Sequence, residues 1–508
     1  MSADLVIGLD VGTSGARAVL LTADARILAV AQRTYPLHTP GPGRAEHDPD
    51  QVATAALDAL GEVARSRPAG ASIAVIGVST IFHSLLAVNR QGVPISRSMS
   101  WADTRARHQV ERLARQADPE LLYRRTGCPL HPMYLPAKIL WLREVATEAF
   151  TRAALFGSLK DEILFRLTGQ RVIDRSVASA TGLLDLERGT WHEPLLEVIG
   201  IGADQLPPIV EPTDIVGGLT PAVASLTSLP AGTPIVAGAG DGVLSSLGAG
   251  AVAPGQMTVM IGTSGAARLA VDRPVFDAQA RTWCYYLAAG RWIAGAAINN
   301  GGLACQWVRD NLLPRRPIEG NDGNFETIEA EARRAPPGAG GIVFLPFLTG
   351  ERSPYWNANA RGVIFGLAAH HGPHHVARSV FEGVCFRMRS IVDALNEAAG
   401  PAREYRATGG FTRSTFWLQM LADVLGQPLI LPRIEEASAV GAAALAALGT
   451  GLVPSLDDIA ARVAVDAGPS PDPAHRAVYD RLFRLYMDIY WANQEAFARI
   501  AEIQEDLG

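Results

Sequence analysis

The pentapeptide Gly-Thr-Ser-Gly-Ala occurs twice in this chain, at residues 12–16 and 262–266. Each copy lies between two short apolar runs, so each segment predicts a strand, a tight glycine turn and a second strand. Glycine permits positive φ and close approach of a ligand, and free N–H groups and hydroxyls in such a turn suit phosphate oxygens. The repeat predicts two similar halves closing on one nucleotide, although a single match is more typical of an ordinary hairpin turn.

The length and composition predict a multidomain globular protein. At 508 residues the chain is too long for one hydrophobic core, so we expect two or three domains. Hydrophobic residues make up 48% of it and charged residues 19%, which is typical of folded proteins. The net charge is −6 and the basic residues form no large block, so we expect no nucleic-acid partner.

The cysteines and the amino terminus predict a cytoplasmic protein. Cys128, Cys284, Cys305 and Cys385 are scattered without a C-x-x-C pair, which predicts buried thiols in a reducing compartment. The first ten residues lack the basic segment of a secretory signal. The long apolar stretches are interrupted or too short to cross a bilayer, so no membrane segment is expected.

The first half predicts a β-meander, a crossover helix and then a parallel strand. The meander consists of the apolar runs at 5–9, 16–21 and 27–35. Asp48 and Pro49 are helix start signals, and a buried strand is expected at 73–79. The same order occurs in the ribonuclease-H-like core of the actin and sugar-kinase folds, which is an analogy at the level of the fold.

A glycine-rich zone at 238–255 separates the halves, and we place the domains at 1–252 and 253–508. The second half begins with the repeated hairpin and becomes helical from about Gly302. Its other predicted strands are 282–289 and 292–297, and its main predicted helices are 378–395, 415–425 and 476–503. Both halves therefore predict an α/β arrangement.

Two aspartates follow predicted strands beside glycines. Asp10 precedes the first pentapeptide, and Asp241 lies in Ala-Gly-Asp-Gly after an apolar run. Phosphoryl transfer needs phosphate donors, a divalent cation near carboxylates, and a base for the attacking hydroxyl. A buried unpaired acid is unfavourable, which favours a functional role for Asp241, whereas Asp10 fits either a Mg²⁺ ligand or a turn cap. The hydroxyls of Thr13 and Thr263 are candidate phosphate donors.

A third cluster, Trp101, Asp103 and Arg105, has residue types that bind polyols. An indole covers a C–H face, and the charged side chains bind hydroxyls or a carboxylate. The cluster also fits a helix start, and the two interpretations are compatible. His83, after an apolar strand, fits either a core histidine or a pocket shared with Trp101.

Two other segments invite functional interpretations that the residues do not favour. The four histidines within 370–375 flank a Gly-Pro turn without a cysteine or carboxylate, which favours an exposed loop over a metal site. The small-residue stretch at 437–448 favours a close-packed helix beside a ligand over a membrane segment. Trp417 and Met420 are expected in the core.

Taken together, these motifs resemble the FGGY carbohydrate kinase family over nearly the whole chain. The matching segments are 9–13, 101–105, 240–242, 262–265, 347–367 and 407–429. The resemblance implies an α/β fold of two actin-like, ribonuclease-H-like domains with ATP and sugar in the cleft between them. It also implies transfer of the ATP γ-phosphate to a sugar or polyol hydroxyl with Mg²⁺.

The resemblance implies a role for each matching residue. Asp241 resembles the catalytic base, and Asp10 and Asp241 are the implied metal-organising carboxylates. The implied nucleotide positions are Gly12, Thr13, Ser14, Gly262, Thr263, Gly302, Gly409 and Gly410. The implied sugar positions are Phe82, His83, Trp101, Asp103, Arg105, His131 and Met133. The family often has Gln or Asn after the base, where this chain has Gly242, so the usual substrate contact there is in question.

Within the family, several segments resemble the gluconokinases, at residues 125–133, 179–183, 190–193 and 356–362. This resemblance implies phosphorylation of D-gluconate to 6-phospho-D-gluconate. Gluconate is an anion, and its carboxylate needs a cationic or strongly donating partner. The candidates are His83, Arg105, His131 and Lys138, among which the sequence does not choose.

Other functions are compatible with part of this pattern. Xylulokinases share some of these segments, so xylulose or another pentulose or polyol is the nearest alternative acceptor. An actin-like ATPase without a sugar substrate would leave the Trp101 cluster without a purpose, and an inactive sugar binder would not need both carboxylates and both threonines. A homodimer is among the assemblies that the sequence allows.

Overall fold

The computed structural model describes residues 4–313 and 325–507. The strands of the first half are β1 (Asp4–Val11), β2 (Gly15–Thr22), β3 (Ile27–Thr34), β4 (Glu46–His47), β5 (Ser72–Thr80), β6 (Leu86–Val88), β7 (Ser98–Met99), β8 (Leu155–Gly157), β9 (Ile173–Asp174), β10 (Leu184–Asp185), β11 (Thr190–Trp191), β12 (Ile209–Val210), β13 (Ile215–Gly218) and β14 (Pro234–Gly240). Its helices are α1 (Pro49–Arg65), α2 (Arg107–Gln116), α3 (Pro119–Thr126), α4 (Leu135–Glu144), α5 (Thr147–Arg152), α6 (Leu159–Thr168), α7 (Arg175–Ser179), α8 (Glu193–Ile199), α9 (Pro221–Thr227) and α10 (Asp241–Gly248).

The second half repeats this mixture of strands and helices. Its described strands are β15 (Gln256–Ile261), β16 (Gly265–Val271), β17 (Trp283–Ala288), β18 (Arg291–Ile298), β19 (Val343–Leu345), β20 (Val363–Phe365), β21 (Glu404–Thr408), β22 (Leu429–Pro432) and β23 (Val465–Ala467). Its described helices are α11 (Gly302–Asn311), α12 (Glu326–Ala332), α13 (Pro373–Ala399), α14 (Thr415–Leu425), α15 (Ala437–Gly449), α16 (Leu456–Ala461), α17 (Pro473–Ala492) and α18 (Gln494–Leu507).

The first half is built on a mixed sheet with the strand order β13-β14-β5-β1-β2-β3. The β1–β2 and β2–β3 pairs are antiparallel, whereas β5 runs parallel to both β1 and β14. Asp48 caps the crossover helix α1, where its side chain accepts a hydrogen bond from Asp50 N at 3.0 Å. The predicted meander, helix and parallel strand are confirmed.

The second half repeats this plan on a sheet with the order β17-β18-β16-β15-β21-β22-β23. The hairpin β15–β16 is antiparallel, and β21 runs parallel to β15 as β5 does to β1. The two pentapeptides connect β1 to β2 and β15 to β16. The α/β prediction of two ribonuclease-H-like halves is confirmed.

One helix of the second half covers the first-half sheet. Along β1, alternate residues such as Ile7 contribute to the core beneath α1, whereas Val6 packs in a cluster with residues of α15. A Cβ at Gly8 would lie 1.8 Å from the backbone oxygen of Ala439, and one at Gly77 would lie 2.0 Å from that of Ala442. The glycines thus let α15 lie directly on the strands, as close packing of small residues predicted.

Two sequence predictions need correction. The predicted helix over 476–503 is two helices, because the chain leaves the helical hydrogen-bond pattern at Asn493 between α17 and α18. The run at 370–375 is not wholly a loop, since Pro373 begins α13 and the last two histidines lie in its first turn. The described residues hold no group of three or more His, Cys, Asp or Glu side chains that could bind a metal ion.

The four cysteines are free and buried, and Trp417 and Met420 lie in the core, as predicted. Within residues 4–313 and 325–507, no helix is both long and apolar enough to cross a lipid bilayer.

Candidate active site

The two candidate carboxylates lie at the same edge of the first-half sheet. Strand pairing places Asp10 opposite Ser79 and Gly240 opposite Thr80, so β1, β5 and β14 end together. Asp241 is the next residue and begins α10. In open α/β sheets the carboxyl ends of parallel strands form the ligand-binding edge.

Burial raises the pKa of both carboxylates at this edge. Burial and the negative charge of Asp10 raise the pKa of Asp241 to about 7, against the opposing charge of Arg268. Asp241 Oδ1 accepts a hydrogen bond of 2.6 Å from Gly242 N. Burial also raises the pKa of Asp10, whose Oδ1 accepts a hydrogen bond of 2.6 Å from Ser79 Oγ. A hard cation takes oxygen ligands, and these two carboxylates are its candidate ligands.

Hydrogen bonds hold the backbone and the Thr13 hydroxyl of the first glycine turn in place. Gly12 N donates to Gly15 O at 2.9 Å, and Tyr35 OH donates to Gly12 O at 2.5 Å. The Thr13 carbonyl oxygen lies 2.8 Å from His47 Nε2, and the Thr13 hydroxyl accepts a hydrogen bond from Trp101 Nε1 at 3.0 Å. The turn is therefore held rigidly, with its hydroxyl linked to the predicted sugar-binding tryptophan.

The second glycine turn is braced by the start of α11. Gly301 N donates to Thr263 O at 3.0 Å, and Gly302 N donates to Gly262 O at 2.7 Å. A Cβ at Gly302 would lie 2.9 Å from Gly262 O, and one at Gly409 would lie 2.7 Å from Ile261 O. The predicted nucleotide-binding glycines of the second half therefore gather around this turn. Gly409 and Gly410 are exposed there, and no atom lies within 4 Å of a Cβ built on Gly410.

A cleft with about 850 Å³ of empty space lies between the two turns. Residues from both halves line it: Thr13, Phe82, His83, Trp101, Met133, Asp241, Gly242, Met260, Ser264, Gly265, Ala266, Arg268, Trp283, Tyr285, Ala297, Arg352 and Trp356. The cleft thus brings together the predicted base, the first turn and four of the seven predicted sugar positions.

His83 enters the cleft as a neutral acceptor. Its Nδ1 lies 2.7 Å from the carbonyl oxygen of Ala180, so Nδ1 carries the proton and Nε2 is left as an acceptor. Burial and the charge of Lys138 lower the pKa of His83 to about 3. Such a ring suits a substrate hydroxyl and repels a carboxylate.

The other predicted carboxylate partners lie outside the cleft lining. Asp103 is fully buried and accepts hydrogen bonds from Ala45 N and from Arg105, whose guanidinium also pairs with Glu46 at 2.5 Å. Lys138 Nζ donates to His83 O at 2.6 Å and Ser100 O at 2.8 Å. These groups fix the segments that carry His83 and Trp101.

His131 also lies behind the cleft wall. Its Nδ1 accepts a hydrogen bond of 3.2 Å from Met133 N, and its ring centroid lies 5.1 Å from that of Trp356. Burial and the charge of Arg352 lower the pKa of His131 to about 3. The ring is therefore neutral and supports two residues that line the cleft.

Sequence reasoning missed two arginines that line the cleft. Arg352 Nε donates to Asn299 Oδ1 at 2.7 Å, Nη2 donates to Ile298 O at 3.2 Å, and the guanidinium lies 5.0 Å from the Trp101 ring centroid. Arg268 lies in β16, and its Nε is buried without a hydrogen-bond partner among the described residues. For Arg268, the sequence signal was a single charged residue within an otherwise apolar predicted strand.

Aromatic residues from the second half form the opposite wall. Trp283 and Tyr285 stack at 4.1 Å between centroids, and the Tyr285 ring contacts that of Phe82 from the first half at 5.2 Å between centroids. A Cβ at Gly295 would lie 2.2 Å from the Trp283 ring, and a Cβ at Gly240 would lie 2.0 Å from the Phe82 ring. Both glycines therefore make room for rings that can cover the C–H faces of a polyol.

Comparison with known proteins gives the same assignment over the full length. The pattern of the FGGY family of carbohydrate kinases matches as its N-terminal domain at residues 5–248 and as its C-terminal domain at 257–450. The gluconokinase of Bacillus subtilis is 33% identical over 99% of this chain and 98% of its own, and the xylulose kinase of that species is 30% identical over 96% of each. A crystal structure of gluconate kinase from Lactobacillus acidophilus superposes with a TM-score of 0.93 at 32% identity, covering 98% of this chain and 100% of that one.

Proposed function

The chain belongs to the FGGY family of carbohydrate kinases, and we propose that it transfers the γ-phosphate of ATP to the C6 hydroxyl of D-gluconate. The products are 6-phospho-D-gluconate and ADP. Relatives named gluconokinase at 33% identity support this acceptor, and a relative named xylulose kinase at 30% identity makes a pentulose the second candidate.

Asp241 is the proposed base. Its carboxylate accepts the proton of the C6 hydroxyl while that oxygen bonds to the γ-phosphorus and the bond from phosphorus to the β,γ-bridging oxygen breaks. General bases act best when their pKa lies near the working pH, and the pKa of Asp241 is raised to about 7. Its place at the start of α10 fixes it at the ligand-binding edge of the sheet.

The two glycine turns are proposed to hold the phosphates from opposite sides. Backbone N–H groups and the hydroxyls of Thr13 and Thr263 supply the donors, with Gly12, Ser14 and Gly262 completing the turns. Gly302 and Gly409 pack closely against the second turn, and Gly410 leaves open space beside it for the rest of the nucleotide.

Asp10 and Asp241 would hold the Mg²⁺ that accompanies ATP. Carboxylate oxygens are its preferred protein ligands, and burial raises the pKa of both carboxylates, so a bound cation would favour their ionised forms. When bound, the ion neutralises charge on the transferred phosphate.

The observation that carries the choice of acceptor is the charge of the cleft. Two arginines line it, and the only carboxylate among its described lining residues is Asp241. The two arginines are the groups that favour an anion over a neutral polyol, whereas the neutral His83 ring accepts a hydrogen bond from a substrate hydroxyl. Phe82, Trp101 and Met133 supply apolar surface for the carbon chain, and Asp103, Arg105 and His131 are proposed to position that wall from behind.

A substrate panel tests the acceptor. Purified protein with MgATP is offered D-gluconate, D-xylulose, glycerol or D-glucitol, and ADP release is measured against the rate without acceptor. We expect the highest kcat/KM with gluconate and a product phosphorylated at C6 by ³¹P nuclear magnetic resonance. No gluconate-dependent ADP release would refute the proposal, and faster turnover of xylulose would establish the second candidate.

A further inference from the structure

Arg268 presents uncommitted donors to the cleft. It is a single charged residue in the apolar strand β16, and its Nε is buried without a partner among the described residues. Leaving a buried charged donor without a hydrogen bond is unfavourable. A ligand group that accepts from this guanidinium would remove that penalty.

The backbone of Gly242 lies against one edge of the Arg268 guanidinium and brings no side chain over it. A Cβ at position 242 would lie 3.1 Å from both Nε and Nη2 of Arg268. Any larger side chain there would cover this edge, including the Gln or Asn that the family often has after its base. With glycine at this position, no side chain of residue 242 lies over Nε and Nη2, and Arg268 lines the cleft.

The other polar groups of the cleft are less available to an anion. Arg352 uses Nε and Nη2 for hydrogen bonds to Asn299 and Ile298. Trp101 donates to the Thr13 hydroxyl, and His83 presents an acceptor. Nε and Nη2 form the edge with which arginine binds a carboxylate through two parallel hydrogen bonds, and in Arg268 both lie against glycine.

We propose that Arg268 anchors the carboxylate of a sugar-acid substrate and that Gly242 makes room for this contact. The inference rests on the proposed function, and it assigns acid specificity to a pair of residues on two facing elements, α10 and β16. The alternative role for Arg268 is to stabilise the transferred phosphate, which would act on every acceptor alike.

Arg268→Met and Arg268→Lys separate these roles. Dissociation constants are measured calorimetrically without nucleotide for D-gluconate and for its neutral analogue D-gluconamide, and kcat and KM follow for the acceptors that turn over. We expect Arg268→Met to weaken gluconate binding roughly 10- to 100-fold, with gluconamide affected less than about 3-fold, because charged hydrogen bonds are the stronger ones. Arg268→Lys is expected to lie between the two.

The complementary variant is Gly242→Asn, which places a side chain over the Nε and Nη2 edge of Arg268. It is expected to weaken gluconate binding while gluconamide binding is kept. Arg124→Met and Gly41→Asn are matched controls, since Arg124 lies on the surface of α3 and no atom lies within 4 Å of a Cβ built on Gly41. Thermal unfolding of each variant identifies any loss of folding.

The outcomes separate the two levels of the argument. Wild-type protein that does not phosphorylate gluconate refutes the proposed function. Wild-type activity on gluconate with unchanged gluconate affinity in Arg268→Met overturns the anchor alone, as does an equal loss for both ligands or a fall in kcat at constant affinity.

Discussion

The two copies of the glycine turn share five residues but differ in what precedes them. Two positions before the pentapeptide, the first copy has Asp10 and the second has Met260. The first turn adjoins Asp10 and the predicted sugar-binding wall, whereas the second adjoins the start of α11 and the open glycines at 409 and 410. The same glycine turn therefore has two different surroundings. We expect the first copy to serve the metal ion and the acceptor, and the second copy to serve the nucleotide.

The largest effect on activity is expected at Asp241, the proposed base, which the first half alone provides. Asp241→Asn should lower kcat by roughly 10² or more, because it removes the general base, while ATP affinity stays nearly intact. Steady-state kinetics and nucleotide binding measure both, with the exposed Asp58→Asn as the control. Near-wild-type turnover would remove Asp241 from this role.

The asymmetry between Asp10 and Met260 gives a direct test. Asp10→Asn should reduce Mg²⁺ affinity or activity about 10- to 100-fold, as is typical when a supporting group of a metal site is lost. Met260→Leu, at the same place in the second copy, should leave the Mg²⁺ requirement unchanged. Titrations of activity against Mg²⁺ measure the difference, and equal effects would mean that the two turns are not specialised in this way.

The turn threonines should differ in their effect on the acceptor KM. Thr13→Val deprives Trp101 Nε1 of its acceptor, so we expect the acceptor KM to rise roughly 2- to 10-fold, the range for one neutral hydrogen bond. Both variants should raise the KM of ATP, since both hydroxyls are proposed phosphate donors, but Thr263→Val should leave the acceptor KM unchanged. The KM of ATP and the KM of the acceptor are measured for each variant. The same pair of changes in both variants would contradict this difference between the two turns.

The last effect concerns stability and not activity. Burial lowers the pKa of Lys138 to about 7, far below that of an unfolded lysine, so the unfolded chain binds more protons between those values. Stability from this group should therefore rise with pH from about 7 to 10, by at most about 1.4 kcal/mol per pH unit. Denaturant unfolding at several pH values measures the free energy of unfolding. Relative to Lys138→Met, that of the wild type should increase as the pH rises, and the same pH dependence in both proteins would contradict the prediction.

The sequence predicted what short segments encode. Both hairpins, the α1 start at Asp48 and the placement of Asp10 and Asp241 after strands follow from local patterns, and the structure has each of them. The proposed catalytic and phosphate-binding positions are of this kind, because a turn and its flanking strands lie together in the chain.

What the sequence did not predict depends on long-range pairing. Asp103 and Arg105 have the residue types of a sugar site, but the pairing of β4 with β7 brings Glu46 to them and commits their charges to one another. Arg268 was overlooked because its significance lies in facing Gly242, which is distant in the chain. The direction in which a charged side chain points is decided by tertiary contacts.

The placement of α15 on the first-half sheet has a consequence for synthesis. The residues from the end of α10 at Gly248 to the end of α15 at Gly449 number about 200, which takes roughly 10–40 s at ordinary translation rates. Throughout that interval the nascent first half has helix α1 on one side of its sheet, and the side formed by Val6, Val19 and Val236 lacks its cover. The nascent chain therefore exposes an apolar sheet face until α15 has been synthesised. During that time chaperones or neighbouring nascent chains can bind this face.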